Sequence, residues 1–402
     1  IMSQFEAFVR YVGPARDTEA EATFFYWSEA NGGALTEPIQ SFNVRLLPEV
    51  RGAQADDYFW QLWGGWLSSM DDPDMREQVL AASRKAGFTN VVSGDQWTTD
   101  RAPEYGLTNT TAINFQSWNV NLKPHLEKMP DERLIDNKGK PNDGLMCTTL
   151  LLGDGWAAAE AALKERLDKS HPHCVDYDYE YGPAAGPHSC YCPRCLAAFR
   201  EFAGLGADVT LDADIIRSDY WPQWIDFMAR RVARICLQFK ESIHRLYPGT
   251  LFSVYSGYHT PDNAERYGID WRYIGELQAA DHAGCGYGRP VEAIAATIEA
   301  LNGIPLVCGA LLVPYDTDLT TPQTPLDVAW LLRVVLDSTG GVLVYNRSTM
   351  DGRSWYAMGE ATRLVAAYEE VFLKGQRTAL PGLDPALVQM VTHNDTTLVC
   401  AL

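Results

Sequence analysis

The sequence predicts an α/β fold: a (β/α)8 barrel with β-rich segments at its N- and C-terminal ends. Three observations carry this. From about residue 55, eight short strand-like runs alternate with helical stretches, the count of a closed parallel barrel. At 402 residues and 46% hydrophobic content, the chain can fill one large core and still carry attachments. Residues 1–52 and 379–402 show β pattern without intervening helices, so the barrel is expected to occupy 53–378.

In order, the first segment contains Thr23-Phe-Phe-Tyr-Trp27 and Ser41-Phe-Asn-Val-Arg-Leu-Leu47, broken by Gly and Pro. The eight barrel strands are expected at 58–63, 90–93, 112–117, 174–180, 251–256, 279–283, 306–310 and 341–345. Helices with apolar residues near a 3.6-residue period are expected at 75–86, 156–169, 224–247, 291–301 and 326–338. The first of these stops at Gly87, and the third at Pro248. Near the end, 388–400 reads as a hairpin turning at Asn394-Asp395.

Composition excludes several functions. A net charge of −19 makes nucleic acid and anionic membrane poor partners. No run of about 18 apolar residues reads as a membrane span. Ile1-Met2-Ser3 leads into mixed polar sequence with no leader character, which gives a cytoplasmic expectation. Gly284-Cys-Gly-Tyr-Gly288 lacks the third glycine and following helix of a dinucleotide loop, so no organic cofactor is expected.

The fourth strand carries the chemistry. Asp176, Asp178 and Glu180 alternate, so on a strand all three face the barrel interior. Converging carboxylates repel, and at least one must hold its proton to unusually high pH, which is how a general acid is made. Just beyond lie Cys190, Cys192 and Cys195, spaced to wrap one tetrahedral Zn²⁺ ion. Nine cysteines, an odd count with three clustered, suit free thiols and one structural metal better than a disulfide framework.

Two resemblances follow from these residues. Glu180-Tyr-Gly182 followed by Cys190-Tyr-Cys192-Pro-Arg-Cys195-Leu-Ala-Ala-Phe199-Arg200 resembles glycoside hydrolase family 42, the β-galactosidases. The resemblance implies that Glu180 is the acid/base carboxylate. It also implies that Cys147 is the fourth zinc ligand, with Cys174 and His188 as alternatives, and that the chain self-associates as a homo-oligomer. Two departures mark the chain as distant: Tyr179 replaces the family's Asn before the acid, and 306–315 holds no Glu where the family has its nucleophile. Separately, Val175-Asp-Tyr-Asp-Tyr-Glu-Tyr181 is similar to the Asp-x-Asp-x-Glu strand of family 18 chitinases, where the substrate supplies its own nucleophile. His173 stands where that family carries a further Asp. A third route pairs a strand-four acid with Asp281, expected at the end of strand six.

Polar and aromatic residues at the remaining strand ends suit a neutral carbohydrate: Trp63, Asp95, Trp97, Trp118, Tyr255, Tyr345 and Arg347. The expected function is therefore glycosidic-bond cleavage, with Glu180, Asp178 and Asp281 as catalytic candidates and Asp176 contacting substrate. Two rivals stand beside it. An inactive carbohydrate-binding barrel is favoured by the missing strand-seven Glu, and a metal-dependent barrel hydrolase would draw on His259 and His282.

Overall fold

The computed structural model describes residues 20–26, 29–30, 34–35, 40–64, 67, 70, 72–93, 95–113, 121–178, 188–286, 291–311, 328–345, 352–384 and 388–401. Before the barrel, β1 (Ala20–Tyr26) pairs antiparallel with β4 (Gln40–Leu46), and β2 (Glu29–Ala30) with β3 (Ala34–Leu35). Eight parallel strands then close on themselves: β5 (Phe59–Trp63), β6 (Asn90–Val92), β7 (Thr108–Ile113), β10 (Cys174–Asp178), β11 (Leu251–Ser256), β12 (His282–Cys285), β13 (Leu306–Leu311) and β14 (Gly341–Tyr345). The excursion between β7 and β10 carries the hairpin β8 (Arg133–Ile135) and β9 (Pro141–Met146). A three-stranded antiparallel sheet ends the chain: β15 (Gln376–Ala379), β16 (Val388–His393) and β17 (Thr396–Ala401). Its hairpin turns at Asn394, whose φ of 50° is the left-handed geometry that Asn tolerates.

The helices run α1 (Pro73–Lys85), α2 (Gln96–Arg101), α3 (Lys123–Lys128), α4 (Thr148–Leu151), α5 (Trp156–Ser170) and α6 (Pro193–Phe202). They continue with α7 (Ala213–Asp219), α8 (Trp221–Leu246), α9 (Pro261–Tyr267), α10 (Trp271–Leu277) and α11 (Val291–Ala300). The last three are α12 (Val328–Asp337), α13 (Gly352–Ala367) and α14 (Glu369–Lys374). No helix among the described residues is long and apolar enough to cross a membrane.

Strand alternation sorts side chains into a dry outer layer and a lumen. Trp60, Leu62, Val91, Ile113, Val175, Tyr177, Phe252, Val254, Val342 and Val344 join the main core against the helices. Phe239 of α8 anchors this layer, with its ring 5.1 Å from Tyr177 and 5.9 Å from Phe252. Burying such rings stabilises by roughly 1.5–3 kcal/mol each, and that fixes the register of β10. A one-residue slip would drive two carboxylates into the dry layer.

Two strands lie away from their sequence-predicted places. β7 starts and ends four residues early because Thr108–Ile113 looks loop-like on composition. Its polarity has a use inside the barrel: Thr110 Oγ1 donates to Asn90 Oδ1 at 2.9 Å, and Gln61 Nε2 reaches both at 3.4 Å. β12 begins at His282, three residues late. Ala279 and Ala280 belong to the turn after α10, where Gln278 caps the helix at φ 50°.

Candidate functional site

The lumen is built from inward positions of the eight strands. Val92, Tyr255, Val307 and Leu343 form its apolar wall, with Phe59, Trp63, Ala112 and Tyr345 packed against them. Trp63 and Tyr345 face each other with ring centroids 4.9 Å apart. Tyr255 is fitted closely: a Cβ on Gly284 would meet its ring at 2.8 Å, and one on Gly286 would meet its hydroxyl at 1.9 Å. Those two positions admit no side chain while Tyr255 stays in place.

Asp176 and Asp178 enter this lumen from β10, because Val175 and Tyr177 between them face the helices. Register sets Asp176 level with Ser253 and Asp178 level with Tyr255 on β11, and Asp176 level with Ala112 on β7. Asp176 accepts a hydrogen bond from Ser253, yet desolvation dominates and pushes its pKa up from 3.8 to about 6. It is therefore a carboxyl that keeps its proton to nearly neutral pH. Glu180, two residues beyond Asp178, lies outside the described residues, as do Trp118 and Arg347.

Several expected site residues take structural posts instead. Asp281, expected at the end of strand six as a catalytic partner, precedes β12 and faces α8 rather than the lumen. There it pairs with Lys240 at 3.0 Å and His244 at 2.8 Å, and accepts from the Phe252 backbone N–H at 2.8 Å. Burial alone would raise its pKa, but these three donors outweigh it and hold the carboxyl below the usual range. Late onset of β12 is the reason for the misplacement. Asp95 caps α2, accepting from Thr98 N at 2.9 Å and from the hydroxyls of Thr98 and Ser93. Trp97 sits in the first turn of α2, 5.3 Å beneath the Arg76 guanidinium and packed on the outer core. His259 approaches Asp270 at 3.7 Å beyond β11, while His282 packs on Phe59 in the lower lumen with centroids 4.7 Å apart. The two histidines thus sit at opposite ends of the barrel. Reasoning on sequence also missed Ser253, whose hydroxyl partners Asp176. Its alternation with Tyr255 on β11 was the available signal.

The cysteines converge. Sγ atoms of Cys147, Cys190, Cys192 and Cys195 all lie within 4.8 Å of one another, with Cys147 3.3 Å from Cys192 and 3.6 Å from Cys195. Zn–S bonds of about 2.3 Å in a tetrahedron put sulfurs about 3.8 Å apart, so the donor set fits a zinc-type cation without rebuilding. All four are at most 2% exposed and share a small core with Leu134. Cys147 comes from the end of β9, Cys190 and Cys192 from the loop before α6, and Cys195 from its first turn. Cys190 takes a φ of 49°, a strained left-handed geometry for a non-glycine residue. Hydrogen bonding from its neighbours pulls the Cys147 thiol far down, as expected where four sulfurs compete for protons. Of the alternatives, His188 packs its ring against Trp221, centroids 5.5 Å apart and planes tilted by 46°, and Cys174 is buried at the start of β10.

No family model and no curated protein matches the chain. Solved structures do. An α-galactosidase from Lactobacillus brevis superposes with a TM-score of 0.52 at 11% identity, covering 85% of this chain and 45% of that one. A GH42 β-galactosidase from G. stearothermophilus gives 0.50 at 12%, covering 82% and 58%. An α-L-fucosidase from Paenibacillus thiaminolyticus gives 0.50 at 12%, covering 82% and 51%. The chain spans about half the length of these proteins. At such identities the likeness is one of fold: a barrel that carries several glycosidase activities among its neighbours.

Proposed function

We propose that this chain is a glycoside hydrolase acting on a neutral carbohydrate at the C-terminal end of its barrel. The observation that carries the reading is the pair Asp176 and Asp178, two lumenal carboxyls on one strand, one of them desolvated and, among the described residues, without a cation. Stability alone does not place such a pair in a lumen. Glu180 continues the same alternation and is assigned the general acid that protonates the leaving oxygen. Asp178 orients or stabilises the reacting centre. Asp176, which keeps its proton up to about pH 6, adds less repulsion there than an ordinary aspartate would. Trp63, Tyr255 and Tyr345 offer faces to the sugar.

The neighbouring folds include galactosidases and a fucosidase, and the family 42 motif at 180–200 favours a galactoside-like substrate among these classes. Asp281 is withdrawn as a partner. That leaves either a carboxylate outside the described residues or the substrate's own acetamide, as the strand-four likeness to family 18 implies. A zinc-type metal held by Cys147, Cys190, Cys192 and Cys195 would crosslink the β8–β9 hairpin to α6. With four protein ligands it has no open position for substrate.

A second reading has one observation in its favour: β13 presents Val307 to the lumen and carries no carboxylate along Leu306–Leu311. An inactive sugar-binding barrel follows if no nucleophile exists. Both readings meet in one experiment, wild type against Glu180→Gln on aryl glycosides and oligosaccharides with product anomers followed by NMR. A wild type that cleaves and a variant reduced ~10²-fold or more supports hydrolysis. Binding without cleavage by wild type supports the second reading, and equal rates remove Glu180 from the chemistry.

A further inference from the structure

We propose that Arg231 is a positioning residue for a divalent cation at the four-cysteine cluster, an inference that rests on reading that cluster as a metal centre. Arg231 lies on α8, the helix that packs on the barrel's outer layer, and is only 6% exposed. Among the described residues no carboxylate pairs with it, and its Nε has no hydrogen-bond partner. Its Nη2 donates to Thr149 Oγ1 at 2.7 Å and lies 4.0 Å from Cys195 Sγ. Thr149 Oγ1 in turn sits 3.1 Å from the same sulfur. The other side of the guanidinium rests 4.7 Å from the Phe227 ring.

A guanidinium cannot shed its charge, and burying it alone costs several kcal/mol. Something anionic has to offset that cost. Four thiolates around a divalent cation leave two negative charges, delocalised over sulfur at the place where Arg231 points. Arg194 supplies a second positive group from the rim, hydrogen-bonded to Cys147 and donating to the Asp131 carbonyl. The two guanidinium groups therefore match the charge that the cation leaves uncompensated. Their hydrogen bonds also fix sulfur lone pairs toward the metal, as outer partners of metal ligands do. Through Thr149 on α4 and Cys195 on α6, Arg231 connects the metal to a barrel helix.

The probe is Co²⁺, whose thiolate-to-metal absorption reports tetrathiolate binding directly. The full chain is loaded with Co²⁺, and its affinity is read by chelator competition for wild type, Arg231→Met, Arg231→Lys and Thr149→Val. Wild type is expected to take one Co²⁺ with a tetrathiolate spectrum. Arg231→Met is expected to hold it ~10–100-fold more weakly. Arg231→Lys should recover part of the loss, since the charge returns without the fork of donors. Equal affinity in wild type and Arg231→Met overturns the role of Arg231 and leaves the cysteine site standing. No thiolate band in wild type overturns both. If Arg231→Met does not fold, Thr149→Val decides: weaker Co²⁺ binding supports the bridge, and unchanged binding overturns it.

Discussion

Asp176 and Asp281 are the same residue type at nearly the same level of one barrel, one inside the lumen and one facing α8, and their surroundings could hardly differ more. Asp281 meets an ammonium, an imidazole and a backbone amide, and ionises readily. Among the described residues Asp176 meets the Ser253 hydroxyl and no cation, and it holds its proton up to about pH 6. On the outer side, charge is compensated and ties α8 to the strands. In the lumen, desolvation dominates and no cation among the described residues pairs with Asp176. That contrast separates the two acids better than residue type does, because a carboxylate stands in each place.

Breaking it on the lumenal side should have the largest effect. Asp178→Asn is expected to lower kcat/KM on any glycoside the wild type cleaves by ~10²-fold, with thermal stability nearly unchanged. Steady-state kinetics beside a melting curve checks both halves. Asp281→Asn should do the reverse, costing about 2 kcal/mol in urea denaturation by stripping a half-buried ionic hub, while kcat stays within twofold.

Asp176→Asn sharpens the comparison through pH. In the unfolded chain this group ionises near 3.8, in the folded one near 6, so the native state binds the extra proton between those values. Stability contributed by Asp176 is therefore present below about pH 4, declines as pH rises to 6, and stays low above it. Allowing for its partial exposure, the Asn variant should be ~1–2 kcal/mol more stable at pH 7 and no more stable at pH 4. A gain of equal size at both values would contradict the assignment. The smallest effect is expected from Tyr345→Leu, which removes a ring 4.9 Å from Trp63 and should raise KM only a few-fold, roughly 1 kcal/mol.

Much of this was legible in the sequence. Strand β10 declares itself because Val175 and Tyr177 alternate with the acids, and both its fold and its chemistry come from that alternation. The cysteine spacing pointed to three of the four converging sulfurs, and the family 42 likeness pointed to Cys147. What failed was register where composition misleads. Thr108–Ile113 is polar because its lumenal face bonds Gln61 and Asn90, so hydropathy hides the strand. Around β12, alanines ending a turn resemble a strand, and glycines cleared for Tyr255 do not. Shifting that strand by three residues carried Asp281 from the expected active end to the outer side facing α8. Partners such as Ser253, and the link from Arg231 through Thr149 to Cys195, join positions from different elements. No local pattern encodes those contacts.

The most direct test is to titrate the two aspartates in one sample. With ¹³C-labelled aspartate carboxyls, Asp176→Asn and Asp281→Asn assign the two signals, and chemical shift against pH gives each midpoint. A midpoint near 6 for Asp176 and one below the ordinary 3.8 for Asp281 is the predicted result. Two midpoints near 4 would contradict the account, since the lumenal acid would then be as well compensated as the structural one.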